Sequence, residues 1–230
     1  MPATPESLTE SSLKYAALKK RHRQVRDGHP TSLSLRIHRA LSWLDCAEQA
    51  KDVDEKFIFL WISFNAAYAQ EADEGYRISD RDVFTDFLEK LCNLDTEKHI
   101  DRLVWNEFSG SIRALLDNPY VFHSFWEFQR GKLDEGEWKK HFSGAKKAAQ
   151  SALSDGNTPK LLSVVFSRLY TLRNQLFHGG ATWKGKVNRD QLRDCTRLLS
   201  KLVPLVISLM MDNPDVQWGD AVYPVVDQQA

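Results

Sequence analysis

The chain has 230 residues, of which 42% are hydrophobic and 27% are charged, which is enough to bury a substantial core in one domain. The 31 Lys and Arg balance the 31 Asp and Glu, so the formal net charge is zero and broad nonspecific attraction to nucleic acid is disfavoured. Cys46, Cys92 and Cys195 are odd in number, far apart and without Cys-x-x-Cys spacing, which excludes a disulfide framework and a zinc site.

The pattern along the chain is helical, with no alternating strand pattern of useful length. We therefore predict an all-α fold, a bundle of about four core helices with extra N-terminal helices and extra helices inserted between Arg77 and Leu153. The predicted helices span residues 8–27, 31–51, 57–70, 80–94, 97–116, 120–130, 137–153, 159–178 and 188–212. This divides the chain into an N-terminal helical arm (1–30), a helical domain (31–212) and an irregular C-terminal tail (213–230).

A cytoplasmic protein is expected, without a metal ion or a cofactor. The longest near-apolar stretch, 57–69, is too short to span a bilayer, and the polar start, 1–10, lacks the apolar core of a signal peptide. Neither metal-ligand spacing nor a phosphate-binding Gly-x-x-x-x-Gly-Lys loop occurs.

The segment Arg173–Gly180 places reactive side chains at the end of a strongly periodic helix, and its two glycines predict the helix stop. About one Arg-x(4–6)-His match is expected by chance in this composition. A second match, Arg23 with His29, lies in a break formed by glycine and proline. Only the match of Arg173 with His178 is therefore expected to be held by regular structure.

Asn174 and His178 stand one helical turn apart on one ridge, and the long Arg173 side chain can reach over them. We therefore expect the three polar groups to converge. The alternative is that Arg173 and His178 only cap the helix by bonding its last carbonyl groups.

These three residues resemble the signature of the HEPN family (higher eukaryotes and prokaryotes nucleotide-binding), in which Arg, a polar residue and, a few residues later, His stand near the end of the last but one core helix. The resemblance spans roughly residues 31–212 by helix pattern. Its specific part is the motif together with the segment 61–68, which is similar to an early helix of bacterial members. It implies a small α-helical bundle.

The resemblance also implies a metal-independent endoribonuclease, as in toxins and phage-defence effectors, that acts as a homodimer with facing motifs. Histidine suits proton transfer at the ribose oxygens because its unperturbed pKa lies near the working pH. The Arg173 fork can bind two phosphate oxygens and keeps its charge, and Asn174 would orient the histidine or the phosphate. Since one chain supplies one such histidine, a second motif is expected from another protomer.

The expected partners are RNA, whether tRNA or mRNA, and an antitoxin or activator protein. In the toxin subgroup that a nucleotidyltransferase antitoxin neutralises, a tyrosine stands two places after the histidine and receives the nucleotide. This chain has Gly180 at that place, so an antitoxin of that type is not assumed.

A series of cations follows the motif, at a place where an RNA backbone could run. The alternative is a solvated helix face in which Asp190 and Asp194 act as counter-charges. The expected RNA-binding residues are Lys184, Lys186, Arg189, Arg193 and Arg197.

Asn65 is a polar residue within the most apolar helix, where a buried polar group needs a partner. We favour a clamp between helices, since buried polar side chains most often serve structure. The alternative is that Asn65, together with Tyr68, supports the polar site.

Two functions of different classes follow from the sequence. The first is an RNA-cleaving enzyme. The second is a catalytically silent HEPN-like module that binds a nucleotide, RNA or a protein partner. The complete set of Arg173, Asn174 and His178 favours the first.

Overall fold

The computed structural model describes residues 9–69 and 80–223, with the backbone alone for 80–83. Within these residues the chain forms ten α-helices and no β-strand, so it is an all-α bundle, as the helical periodicity predicts. The helices are α1 (Tyr15–Val25), α2 (Thr31–Gln49), α3 (Val53–Tyr68), α4 (Asp80–Leu94), α5 (His99–Arg102), α6 (Ser109–Asp117), α7 (His123–Gln129), α8 (Glu135–Ser154), α9 (Thr158–Phe177) and α10 (Arg189–Asp212).

Helices α2, α3, α9 and α10 form the centre of the bundle. A short connection makes α2 and α3 an antiparallel pair, α10 packs on both of them, and α9 packs against α3 and α4. Helix α3 begins at Val53, four residues before the predicted start. The reason is Asp52, whose carboxylate accepts hydrogen bonds of 3.0 Å from the backbone N–H groups of Asp54 and Glu55.

Aromatic side chains fill the space between α3, α4 and α9. The ring of Phe166 lies 4.7 Å from that of Phe64 and 4.6 Å from that of Phe84, measured between centroids. Each of these rings is buried, and burying one large apolar side chain contributes about 1.5–3 kcal/mol. This cluster fixes α9, which carries the motif, against the most apolar helix of the chain.

The predicted helix 97–116 is interrupted in the structure. Helix α5 is followed by a π-helical turn, Leu103–Glu107, and α6 begins only at Ser109. Val104, inside the π turn, and Phe108, directly after it, are both buried.

Both ends of the described chain pack on the bundle. Helix α1 buries Leu18 and His22 against α2 and α10. The segment 213–223 is irregular, as predicted, but Trp218 is buried in it and Arg36 bonds the carbonyl groups of Gly219 and Asp220. In the described part of the chain, no helix has the length and apolarity that a membrane span requires.

Candidate functional site

The motif lies at the C-terminal end of α9. Asn157 caps the start of this helix by accepting a 3.0 Å hydrogen bond from the Lys160 N–H group. The helix ends at Phe177, and Gly179 adopts a left-handed backbone conformation with φ of +68°, which glycine tolerates without strain. The two glycines therefore end the helix as predicted, with His178 as the capping residue.

The chain turns back closely after the helix end. The Ala181 N–H group donates to the Gln175 carbonyl oxygen at 2.9 Å. A Cβ atom placed on Gly180 would lie 3.3 Å from that same oxygen, a tight contact for any side chain. The space for a side chain at position 180 is thus restricted by the backbone of α9.

Arg173 and Asn174 contact each other directly. Arg173 Nη1 donates to Asn174 Oδ1 at 2.8 Å, and the guanidinium lies 4.7 Å from the centroid of the Phe177 ring. The Nε atom of Arg173 is buried without a hydrogen-bond partner, and no described residue bonds its Nη2 atom. The guanidinium is therefore held in place while part of its donor fork stays free.

His178 is exposed at the helix end. Its backbone N–H group donates to the Asn174 carbonyl oxygen at 3.1 Å, and its imidazole makes no hydrogen bond or ion pair with any described residue. The side chains of Arg173 and His178 do not bond a carbonyl group of the last turn in the described structure, so the capping alternative lacks its expected contacts. One pair of the three polar groups, Arg173 with Asn174, is joined.

Two exposed aromatic residues flank Arg173 on the same face of α9. Tyr170 is 46% exposed and Phe177 is 42% exposed. The Tyr170 ring rests on the buried Trp61, with 6.3 Å between ring centroids, so the orientation of this face is supported from the core. We call Tyr170, Arg173, Asn174 and Phe177 the motif face.

The loop that follows the motif is attached to the start of α3 by two aspartates. Asp54, which is 4% exposed, binds both terminal nitrogens of Arg189 at 2.8 and 2.7 Å and accepts a 3.3 Å bond from the Lys184 N–H group. Asp52 accepts a 3.2 Å bond from Trp183 Nε1. We call this set the aspartate anchor. It connects the motif loop to α3 and α10.

The contacts of the aspartate anchor shift the pKa values of Arg189 and Asp52. Hydrogen bonding to Asp54 raises the pKa of Arg189 above its usual value. The backbone hydrogen bond from Glu55 lowers the pKa of Asp52, and the contacts with Trp183 and Lys184 act in the same direction. Sequence reasoning missed this set, although an acidic pair at the start of the most apolar helix signals it.

The predicted RNA-binding cations are in different environments. Arg189 is held by Asp54, the ammonium of Lys184 lies 3.8 Å from Asp52, and Arg193 pairs with Asp190 as the solvated-face alternative expects. Of these five predicted cations, Lys186 and Arg197 are exposed and make no ion pair with a described residue.

Asn65 and Tyr68 lie away from the motif. Helix α9 runs antiparallel to α3, so the motif end of α9 lies toward the Asp54 end of α3. Tyr68 is at the other end of α3, about 20 Å from Asp54 along the helix axis. The Tyr68 ring contacts the rings of Phe64 and Phe84. Asn65 Oδ1 is buried without a hydrogen-bond partner, so this atom makes no clamp.

A groove of about 320 Å³ opens beside the last turns of α9. Its floor is apolar, and one wall is Trp126 of α7, whose indole N–H group donates to the Tyr120 carbonyl oxygen at 2.8 Å. Lys186 stands on the loop that closes the other side. We call it the Trp126 groove. The apolar floor residues are Leu172, Leu176 and Leu192.

Across residues 9–69 and 84–223, no three His, Cys, Asp or Glu side chains come together as a metal site would require. Comparison of the chain with protein-family models, with curated proteins and with solved structures finds no match. Function is therefore argued from the residues and their arrangement.

Proposed function

We propose that this protein is an endoribonuclease that cleaves RNA without a metal ion by means of Arg173, Asn174 and His178. The observation that carries the proposal is the arrangement at the end of α9. The Arg173 guanidinium is oriented by Asn174 and Phe177 and keeps free donors, while the His178 imidazole is exposed and free of described partners.

In the proposed reaction, an imidazole removes the proton of a ribose 2′-hydroxyl, and the oxygen attacks the adjacent phosphorus. A second imidazole protonates the departing 5′-oxygen, which leaves a 2′,3′-cyclic phosphate and a 5′-hydroxyl. Such proton transfers typically contribute about 10²–10⁴-fold to the rate. Arg173 binds the phosphate oxygens and stabilises the charge that develops on them.

The second imidazole is assigned to a second copy of this chain. One motif supplies one histidine, and a two-fold axis at the motif face would bring two motifs together. Tyr170 and Phe177 support this assignment, because exposed aromatic residues at the centre of a surface are typical anchors of protein interfaces. The aspartate anchor supports it as well, because it holds the loop behind His178.

The test is cleavage of end-labelled total RNA and tRNA in EDTA by the purified protein. We expect products with 2′,3′-cyclic phosphate ends, and a rate lowered by at least about 10²-fold in His178→Ala. The matched control is His38→Ala, because His38 is also exposed on a helix, α2, and does not line the groove beside the motif. Absence of cleavage by a folded dimer would overturn the proposal and favour the silent binding module.

Mixing of subunits tests the composite site. Wild-type protein and His178→Ala are co-refolded at several ratios, and the cleavage rate is measured at constant total protein. If each site needs both histidines, the cleavage rate is proportional to the square of the wild-type fraction. A linear loss would show that each protomer acts alone.

A further inference from the structure

The Trp126 groove has no role in the reaction just described, although it adjoins the same helix. Leu172, Gln175 and Leu176 line it from α9, while Arg173 and Asn174 stand about 100° and 200° around the helix from Leu172. The helix is about 10 Å across, a distance that neighbouring nucleotides of one strand can cover. A strand bound at Arg173 can therefore place a neighbouring base in the groove.

The walls of the groove suit a flat aromatic ring. Its floor of leucines is apolar, and the Trp126 ring is held in one orientation by the hydrogen bond of its N–H group to the Tyr120 carbonyl oxygen. Stacking on an aromatic side chain is a common means by which proteins bind single-stranded nucleic acid. The volume of about 320 Å³ lies at the lower end of the range for small-molecule sites, which matches one nucleotide.

The charge at the groove also suits a nucleotide. Arg189 lines the groove, but Asp54 neutralises it. Lys186 is exposed on the rim and forms no ion pair with a described residue, so its ammonium is available to a phosphate. The groove thus combines an apolar interior with one free cation at the edge, among the residues that the structure describes.

The polar atoms of the groove can both donate and accept hydrogen bonds. Gln175 Nε2 donates to the Tyr120 carbonyl oxygen at 2.8 Å, and Asn188 Nδ2 donates to Gln175 Oε1 at 3.1 Å. Asn188 Oδ1 receives only a long bond of 3.5 Å from Asn118. Each amide nitrogen carries two hydrogens and uses one of them in these bonds, so the groove offers two donors and one acceptor to the polar edge of a base.

We propose that the Trp126 groove is the subsite that receives one base of the RNA substrate next to the cleaved phosphate. The base stacks on Trp126, its polar edge bonds the amides of Gln175 and Asn188, and Lys186 binds the phosphate of the same nucleotide. This inference rests on the proposed ribonuclease function, which supplies the position of the strand.

The experiment measures binding apart from cleavage. Full-length His178→Ala protein, which cannot cut, is titrated into fluorescently labelled oligo(A) and into an abasic oligonucleotide of the same length, and anisotropy reports the Kd. We expect oligo(A) to bind at least about fivefold more tightly, since stacking of one base on an aromatic side chain contributes about 1–3 kcal/mol. Equal affinity for the two would overturn the base subsite.

Two variants made in the same background locate the site. Trp126→Leu should weaken binding of oligo(A) by about tenfold, because it removes the stacking platform. Lys186 lies on an exposed loop, so Lys186→Ala tests the groove even if Trp126→Leu is unstable. Lys140→Ala is its control, since Lys140 is exposed on α8 and does not line the groove. Unchanged affinity in both folded groove variants would overturn the assignment.

The two proposals can fail separately. If the wild type does not cleave but the groove variants lose oligonucleotide affinity, the ribonuclease proposal fails and the subsite stands. If the wild type cleaves and both groove variants bind oligo(A) as tightly as their parent, the subsite fails and the ribonuclease stands.

Discussion

Asp54 and Arg189 form a two-point ion pair that joins the first turn of α3 to the first turn of α10, with oxygen-to-nitrogen distances of 2.8 and 2.7 Å. The two residues are separated by 135 positions in the chain, and the loop after the motif lies between α9 and Arg189. The pair therefore fixes both the packing of two central helices and the position of the chain that leaves His178.

Removal of one partner of this pair is expected to destabilise the fold strongly. Asp54→Ala leaves a guanidinium without its counter-charge, and breaking a buried pair in this way typically costs about 3–5 kcal/mol. Because the Arg189 side chain is partly exposed, we expect the lower part of that range. Urea unfolding followed by circular dichroism gives the free energy of unfolding. A loss below about 1 kcal/mol would contradict the role given to the pair.

The control for Asp54→Ala is Asp190→Ala, which removes the partner of Arg193 on the surface of the same helix, α10. Exposed ion pairs contribute about 0–1 kcal/mol. We expect the second variant to unfold at nearly the wild-type urea concentration.

The two arginines that are most deeply buried should respond differently to replacement by methionine. Arg36 and Arg168 are each 1% exposed, and burial lowers the pKa of each to about 10. Arg36 donates to the carbonyl groups of Ala67, Gly219 and Asp220 at 2.6–3.2 Å. Arg36→Met leaves these acceptors without a donor and should cost about 3 kcal/mol.

Arg168→Met is expected to change the free energy of unfolding by no more than about 1 kcal/mol. Its guanidinium lies 4.3 Å from the Phe122 ring centroid, and its Nε and Nη2 atoms are buried without hydrogen-bond partners. Methionine keeps the contact with the aromatic ring and removes an uncompensated charge. A loss as large as that of Arg36→Met would mean that the cation–π contact stabilises the fold far more than such contacts usually do.

Acidification is expected to destabilise the packing of α1 through His22. This residue is 2% exposed, and burial lowers its pKa to about 4. The unfolded chain then binds a proton that the folded chain does not, so stability falls as the pH drops from about 6.5 to 4 and levels off below. The positive neighbours that add to this effect are Lys19, His38, His29 and Arg26.

His22→Met keeps the size of the side chain and removes the titrating group. We expect this variant to lose less stability than the wild type between pH 7 and pH 4.5 in thermal unfolding. The same comparison with His123→Met serves as the control, because His123 is exposed. Parallel loss of stability in all three proteins would exclude His22 as the cause.

The motif face is expected to hold the homodimer. Tyr170→Ala combined with Phe177→Ala should weaken dimerisation by at least about tenfold, since aromatic anchors commonly contribute more than 1 kcal/mol each. Analytical ultracentrifugation measures the dissociation constant. Tyr223→Ala is the control, because Tyr223 is 82% exposed on the C-terminal segment. A wild-type protein that stays monomeric at the concentrations at which it cleaves would contradict this prediction.

One thiol should react quickly in the folded protein. Cys46 is exposed, whereas Cys195 is buried and Cys92 is half-buried. Burial raises the pKa of Cys92 to about 12 and that of Cys195 further, so neither forms the reactive thiolate near neutral pH. We expect one equivalent of thiol to react with a disulfide reagent before unfolding, and Cys46→Ser to abolish that reaction.

The helical class and the end of α9 follow from local patterns. The repeat of Leu162, Val165, Leu169, Leu172 and Leu176 predicts one buried face. The first four of these residues are buried, and Leu176, in the last turn, is half-buried. The stop at Gly179 depends on a backbone conformation that glycine tolerates and is equally local. The start of α3 at Val53 could also be predicted from the sequence, because Asp52 is a typical capping residue.

The break at Leu103–Glu107 could not be predicted from the local sequence. Residues 97–116 have a helical pattern throughout, and Val104 and Phe108, four positions apart, would share one face of an unbroken α-helix as well. The placement of Asn65 and Tyr68 away from the motif likewise depends on the antiparallel packing of α9 on α3.

The sequence by itself determined that this chain is helical and where its motif helix ends, because periodicity and the placement of glycine along one segment decide both. Of the three motif side chains that were expected to converge, Arg173 bonds Asn174, and the His178 imidazole bonds neither. Only the tertiary structure decided which cations are neutralised, that Asp54 holds Arg189, and that Trp126 forms a groove beside the motif. These contacts join residues distant in the chain, and such pairs form according to how whole helices pack rather than according to any local pattern.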